Sequence, residues 1–174
     1  MPARDQLDLI GEQWRRERPD LDVSPLVLLG RLLRAAELAE LSLRPPLSEL
    51  GLQPGWFDLL AALRRSGTPY ELNPTDLMEA TMLSSGGMTK RLDRLVDAGL
   101  VARGPDPGDR RGTRVRLTRT GRRAIDRALE VHVENERRIL AALTARERRE
   151  LDGALRKVLA ELESRRSRRQ DEEP

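Results

Sequence analysis

The sequence predicts a mostly α-helical fold with one small β-hairpin, and three observations carry that expectation. Apolar residues recur at helical spacing in several separate stretches of the 174-residue chain. Only four aromatics occur, Trp14, Trp56, Phe57 and Tyr70, so the core falls to Leu, Ala and Val, which suits helices packed through short contacts. Apolar and charged residues alternate in Thr113-Arg-Val-Arg-Leu117, beside a turn rich in Pro and Gly. An apolar content of 38% at this length is enough for one domain core.

The elements follow in order. Residues 3–17 place Leu7, Ile10 and Trp14 on one side of a short helix. Ser24 and Pro25 supply an N-cap and a first-turn proline for a long helix running to about Arg44, where Pro45 and Pro46 are expected to stop it. Gly51 to Gly55 forms a loop, and Trp56 to about Ser66 a third helix ended by Gly67. Tyr70 to Leu72 is a stub of strand. Asn73 and Pro74 repeat the cap-plus-proline signal and open a helix of roughly two turns through Leu77 and Met78. After a break at Leu83 to Gly86, Met88, Leu92, Leu95 and Val96 recur at helical spacing until Gly99. Leu100 to Arg103 and Thr113 to Leu117 pair as the hairpin. Thr120 to about Leu143 is a long helix, and Thr144 to Glu147 a capping box that opens a last helix with Leu151, Leu155, Val158, Leu159 and Leu162 on one face. Ser164 to Pro174, basic and then acidic, is expected to be a disordered tail.

Composition removes several classes of function. There is no cysteine, which excludes disulfides, thiolate nucleophiles and cysteine-bound metal, and the single histidine, His132, rules out a histidine-rich metal site. No Gly-rich phosphate loop follows a strand, and Glu134 and Glu136 do not share a helical face, so nothing points to an enzyme, a metal or a cofactor. The N-terminus lacks a signal-peptide pattern and no run of apolar residues is long enough to span a membrane, so a cytoplasmic protein is expected. The net charge of +3 hides an uneven distribution, because Ser84 to Arg123 holds eleven Lys and Arg against four Asp. That is the electrostatic footprint of a polyanion binder.

Helix, turn, helix and basic-tipped hairpin, in that order, is the winged helix-turn-helix arrangement. An α-helix fits the major groove, and the helix starting near Ser85 carries Ser85, Thr89, Lys90, Arg91 and Arg94, with Gly86 and Gly87 permitting close approach. In the hairpin, Pro105, Pro107, Gly108 and Gly112 fix a turn from which Arg110 and Arg111 project, and a narrow minor groove attracts arginine in that position. The partner this implies is double-stranded DNA. A solvated hairpin is the plainer meaning of such a turn taken alone; the helix pair in front of it makes the nucleic-acid reading the stronger one. The flanking helices hold most of the remaining leucines and are expected to form a homodimer on a pseudo-palindromic operator with half-sites about 34–36 Å apart.

The segment Tyr70 to Thr118, above all "RLDRLVDAGLV" and "DRRGTRVRLT", resembles the MarR family of bacterial transcription regulators, with helix order similar over residues 24–163. The resemblance implies a winged domain over about 53–118, dimerisation helices over about 24–44 and 119–163, and an Asp-x-Arg wing motif at Asp109 and Arg111. It also implies a small-molecule pocket whose occupation releases DNA. Residues 1–23, with Trp14 on an extra helix, look like the urate-responsive subfamily. Its four recurring positions fall by local context on Trp14, Asp58, Arg91 and Arg103, which implies a small anionic effector, urate-like or a carboxylate. An indole can stack on a flat ring, Arg103 can pair with an anion, and Asp58 would be repelled by it, with movement passed to Arg91. Each also has a plainer meaning: Trp14 as a staple, Asp58 as a first-turn carboxylate, Arg91 as a phosphate contact, Arg103 as a strand-edge cation. His132 reads as a dimer or pocket-wall residue. A constitutive or architectural DNA-binding protein without effector is the alternative.

Overall fold

The computed structural model describes residues 4–81, 87–106 and 108–172, and within them the side chains of all but 109–111 and 170–172. Among the described residues seven helices and three strands follow one another: α1 (Gln6–Glu17), α2 (Ser24–Glu49), α3 (Trp56–Arg65), β1 (Glu71–Leu72), α4 (Pro74–Glu79), α5 (Met88–Asp97), β2 (Val101–Asp106), β3 (Asp109–Leu117), α6 (Arg119–Ile139) and α7 (Ala145–Glu172), with a 3-10 turn at Leu140–Ala142. The expected mostly helical fold with a small β-element is the one observed. The chain separates into two compact units, Met1–Val133 and Glu134–Pro174. The second comprises the end of α6, the 3-10 turn and α7.

The core of the first unit is built on α3, whose Leu59, Leu60 and Leu63 are fully buried. Leu77 from α4, Leu92 and Leu95 from α5, Val115 and Leu117 from β3 and Ile125 from α6 close over them. Fully burying a leucine stabilises by about 1.5–3 kcal/mol, so this cluster and not helix propensity holds the short α4 and α5 in place. The sheet is antiparallel in the order β1-β3-β2. The expected hairpin thus has a third strand, because Glu71 and Leu72 pair with Arg116 and Val115. Along β3, Val115 and Leu117 are buried while Arg116 is exposed, as their alternation predicts.

Four local expectations are corrected. Pro45 and Pro46 lie inside α2 and do not end it. Each removes one backbone donor, yet Leu47 and Leu50 pack against the core and the backbone closes beyond them through Gly51 N–H to Ser48 C=O at 2.9 Å, so tertiary packing overrides the stop signal. The start of α2 is not capped by Ser24; the cap position is Val23, and the Asp22 carboxylate accepts from the Ser24 N–H at 2.9 Å and from its hydroxyl at 3.0 Å. An acid two residues upstream reaches the free donors better than a serine whose hydroxyl is already donating. Helix α6 ends at Ile139, short of Leu143. Finally, α7 continues to Glu172, through the tail expected to be disordered, supported by Arg165 on Glu161 at 2.6 Å, an i,i+4 pair of the kind that stabilises exposed helix. The Thr144 capping box forms, with the Thr144 N–H donating to Glu147 at 2.7 Å and the Glu147 N–H donating to the Thr144 hydroxyl at 3.3 Å.

Helix α1 is seated on α2 at two glycines. A Cβ on Gly11 would lie 2.7 Å from Val27 Cγ2, and one on Gly30 would lie 2.8 Å from Leu7 Cδ1. Arg31 of α2 then holds the first turn of α1, with Nε on Asp5 at 2.6 Å and Nη2 on Asp8 at 2.8 Å. The hydrogen bond from Arg31 lowers the Asp5 pKa from 3.8 to about 2. A carboxyl depressed in the folded state contributes stability that is complete above 3.8 and disappears as pH falls through about 2. Hydrogen exchange of α1, corrected for its intrinsic pH dependence, is therefore expected to stay level from neutral pH down to the usual carboxylate range and to accelerate only below it; acceleration near pH 6 would show that another group holds α1.

Candidate nucleic-acid interface

Three elements of the first unit come together around the basic segment: α4, α5 and the wing formed by β2 and β3. Asn73 caps α4, its side-chain oxygen accepting from the Asp76 N–H at 2.7 Å, with Pro74 in the first turn as its sequence predicts. Arg65, at the end of α3, donates to the carbonyl of Ala80, where α4 ends, and so ties the first helix of the pair to the domain core.

Helix α5 begins at Met88, later than the sequence suggests. Ser85 and Gly86, expected on its first turn, lie outside the described residues. Gly87 is the N-cap at φ +82, so its part is to take a left-handed conformation that other residues adopt only with strain. Met88, Leu92 and Leu95 face the core, which leaves Thr89, Lys90, Asp93 and Arg94 exposed on the opposite side. Arg91 is half-buried, and its guanidinium lies over the cap, with Nη1 3.6 Å from where a Gly87 Cβ would be. Arg94 also reaches Gln53 Oε1, in the loop before α3, at 3.4 Å.

The wing is a regular antiparallel pair from Val101↔Leu117 to Pro105↔Thr113, with an irregularity between Pro105 and Asp106. Asp109, Arg110 and Arg111 start β3, and their side chains are not among those described. Sequence reasoning missed two acids here, treating Asp93 and Asp106 only as charges. Asp93 Oδ1 of α5 pairs with Arg103 Nη1 of β2 at 2.7 Å. Asp106 accepts from Arg114 Nε at 2.7 Å and from the Gly108 N–H at 2.9 Å. The second of these carried a signal, since Asp two residues before Gly is a side-chain-capped turn. The first did not, because it depends on how a helix meets a strand.

The expected effector residues stand on separate elements. Trp14 on α1 is 45% exposed. Asp58 is half-buried in the first turn of α3, next to Phe57, whose ring meets that of His132 at 4.3 Å. Arg103 on β2 is joined to α5 through Asp93. Among the described residues no hydrogen bond or ion pair links Trp14, Asp58 and Arg103 to one another. Nor do the described residues contain a group of three or more metal-ligating side chains, or a helix long and apolar enough to cross a membrane.

The wing and helix pair are joined to α6 by a compact junction. The Thr118 hydroxyl donates to the carbonyl of Gly99 at 2.7 Å and accepts from the Gly121 N–H at 2.9 Å. Nearby, the guanidiniums of Arg64 and Arg122 lie 4.9 and 4.8 Å from the Tyr70 ring centre, and Arg64 pairs with Asp126 of α6 at 2.7 Å. These contacts tie the start of α6 to the end of α5 and to α3.

Comparison with known proteins agrees with this geometry. Residues 50–112 match the MarR family. Over 149 residues the chain is 43% identical to the HTH-type transcriptional regulator PecS of Dickeya dadantii, covering 86% of this chain and 90% of that protein. AbsC, a MarR family transcriptional regulator from Streptomyces coelicolor, superposes with a TM-score of 0.74 at 26% identity, over 83% of this chain and 97% of that one. A mutant MarR from Escherichia coli, solved in complex with operator DNA, superposes with a TM-score of 0.68 at 30% identity, over 79% and 97%. These relatives share the fold of this chain, whose helix pair stands beside an antiparallel wing, and the chain belongs to the MarR family of DNA-binding transcription regulators, which are not enzymes.

Proposed function

We propose that the protein is a repressor that holds a pseudo-palindromic operator as a homodimer and lets go when a small planar anion of the urate class takes Arg103 away from Asp93. The observation that carries this reading is the 2.7 Å pair between those two residues, which connects the wing to α5. While it is intact, the Asp93 charge is neutralised beside Lys90 and Arg94. An anion that competes for the guanidinium leaves a bare carboxylate on the surface offered to phosphate, and like charges brought close together repel. Trp14 supplies a flat stacking surface, Asp58 a second acid that an anion displaces, and Arg91 a relay to the cap of α5. Exposed leucines on α2, among them Leu26, Leu29 and Leu33, and on α7, Leu159 and Leu162, support burial against a second copy. The wing residues Arg110 and Arg111 are assigned to the minor groove, with Asp109 completing the wing motif.

Release of a labelled operator during titration with urate tests the effector. Arg103→Ala leaves the Asp93 carboxylate bare from the outset, so it is expected to weaken operator binding by about 10–100-fold without any anion, the worth of a charge-assisted hydrogen bond, and to remove the response to urate. Trp14 emission, followed with Trp56 replaced by Phe, is expected to change over the urate range that releases the operator. An operator complex indifferent to urate and other planar anions would leave a constitutive DNA-binding protein as the better description.

A further inference from the structure

We propose that Asp106 and Arg114 are positioning residues that set the shape of the wing, acting as an internal strut, so that Arg114 works on Asp106 and not on phosphate. The usual expectation for these two is the reverse: an arginine in a DNA-binding wing neutralises phosphate, and an acid beside it weakens binding.

The geometry argues otherwise. Arg114 stands opposite Gly104 in the ladder, two positions from Asp106, and its guanidinium crosses the strands diagonally to place Nε 2.7 Å from Asp106 Oδ2. The other oxygen, Oδ1, accepts from the Gly108 N–H at 2.9 Å. One carboxylate thus joins the strand leaving the turn to backbone on the turn's far side. The Asp106 side chain is only 10% exposed, at the end of β2 between the exposed Pro105 and Gly108. It also stands where the strand register shifts, between Pro105 and Asp106, so the ladder alone does not determine the path of the chain there. A charge-assisted bond from a rigid guanidinium supplies the missing constraint. Among the described residues, nothing lies within 4 Å of a would-be Cβ on Gly104, the residue opposite Arg114.

The strut and the phosphate contact predict opposite signs. Asp106→Asn removes a negative charge from a DNA-binding surface, and general electrostatics expects tighter binding. The strut predicts an operator affinity about tenfold weaker, because the amide gives up the ionic partner of Arg114. Arg114→Lys keeps the charge and loses the fork; it is expected to bind about as weakly, whereas a phosphate contact would tolerate lysine. In the double variant Asp106→Asn with Arg114→Gln, the loss is expected to match that of Arg114→Gln alone, since both changes cut the same link. Fluorescence anisotropy against one operator duplex reads all four variants, with far-UV circular dichroism and the thermal midpoint recorded for each. Unchanged or tighter binding by Asp106→Asn, or wild-type affinity in Arg114→Lys, overturns the proposal.

Discussion

Gly121→Ala is expected to destabilise the protein by about 3 kcal/mol, at the upper end for overpacking, although alanine is the better helix former by about 1 kcal/mol. Gly121 is the third residue of α6, and an ideal Cβ there would fall 1.9 Å from the carbonyl oxygen of Leu100 and 2.8 Å from its carbon. Those are backbone atoms, so no rotamer change relieves the clash. Nor can the carbonyl move freely, for it accepts from the Thr118 N–H at 3.1 Å, beside the Thr118 hydroxyl whose proton goes to the Gly99 carbonyl. The substitution must separate α6 from the chain that follows α5. Urea denaturation with linear extrapolation measures the loss. Gly104→Ala is the control: its Cβ meets open space, and a change within about 0.5 kcal/mol is expected. Equal midpoints for the two variants would mean that the junction is not packed as described.

Replacing Lys90 and Arg94 together by alanine is expected to lower operator affinity on the order of a thousandfold near physiological salt, if each neutralises a phosphate and two copies bind. The two side chains are four apart on α5, on the side opposite Leu92 and Leu95, and both are exposed. The log–log salt slope is expected to fall by about one for each phosphate left without its cation, hence by about four per dimer. Thermal stability is expected to change little, because neither side chain is buried. A reduced affinity with an unchanged slope would reassign the pair from phosphates to base edges. Unchanged affinity would remove α5 from the DNA-facing surface.

Local signals carried the architecture where a single element determined them. The buried positions of α5, the Asn73 cap, the Thr144 capping box and the alternation of β3 all depend on residues within one turn or one strand, and these were visible in the sequence. Features decided by distant segments were not. Pro45 and Pro46 are strong stop signals, yet Leu47 and Leu50 have a core to reach. Tyr70 to Leu72 is legible as a stub of strand, but its pairing with β3 as the third strand of the sheet depends on a segment more than forty residues away. The roles of Arg103 and Arg114 show the same limit for the site: a run of cations suggests a polyanion, and only the packed structure reveals that both are engaged by acids of the same chain.

The strand order has a consequence for how the molecule behaves in a crowded cell. With β3 in the middle, the long rim left open belongs to β2, and Pro105 interrupts its row of donors. A neighbouring chain seeking to extend the sheet meets a gap where an amide hydrogen should be, so the wing can be held out toward solvent without templating its own aggregation.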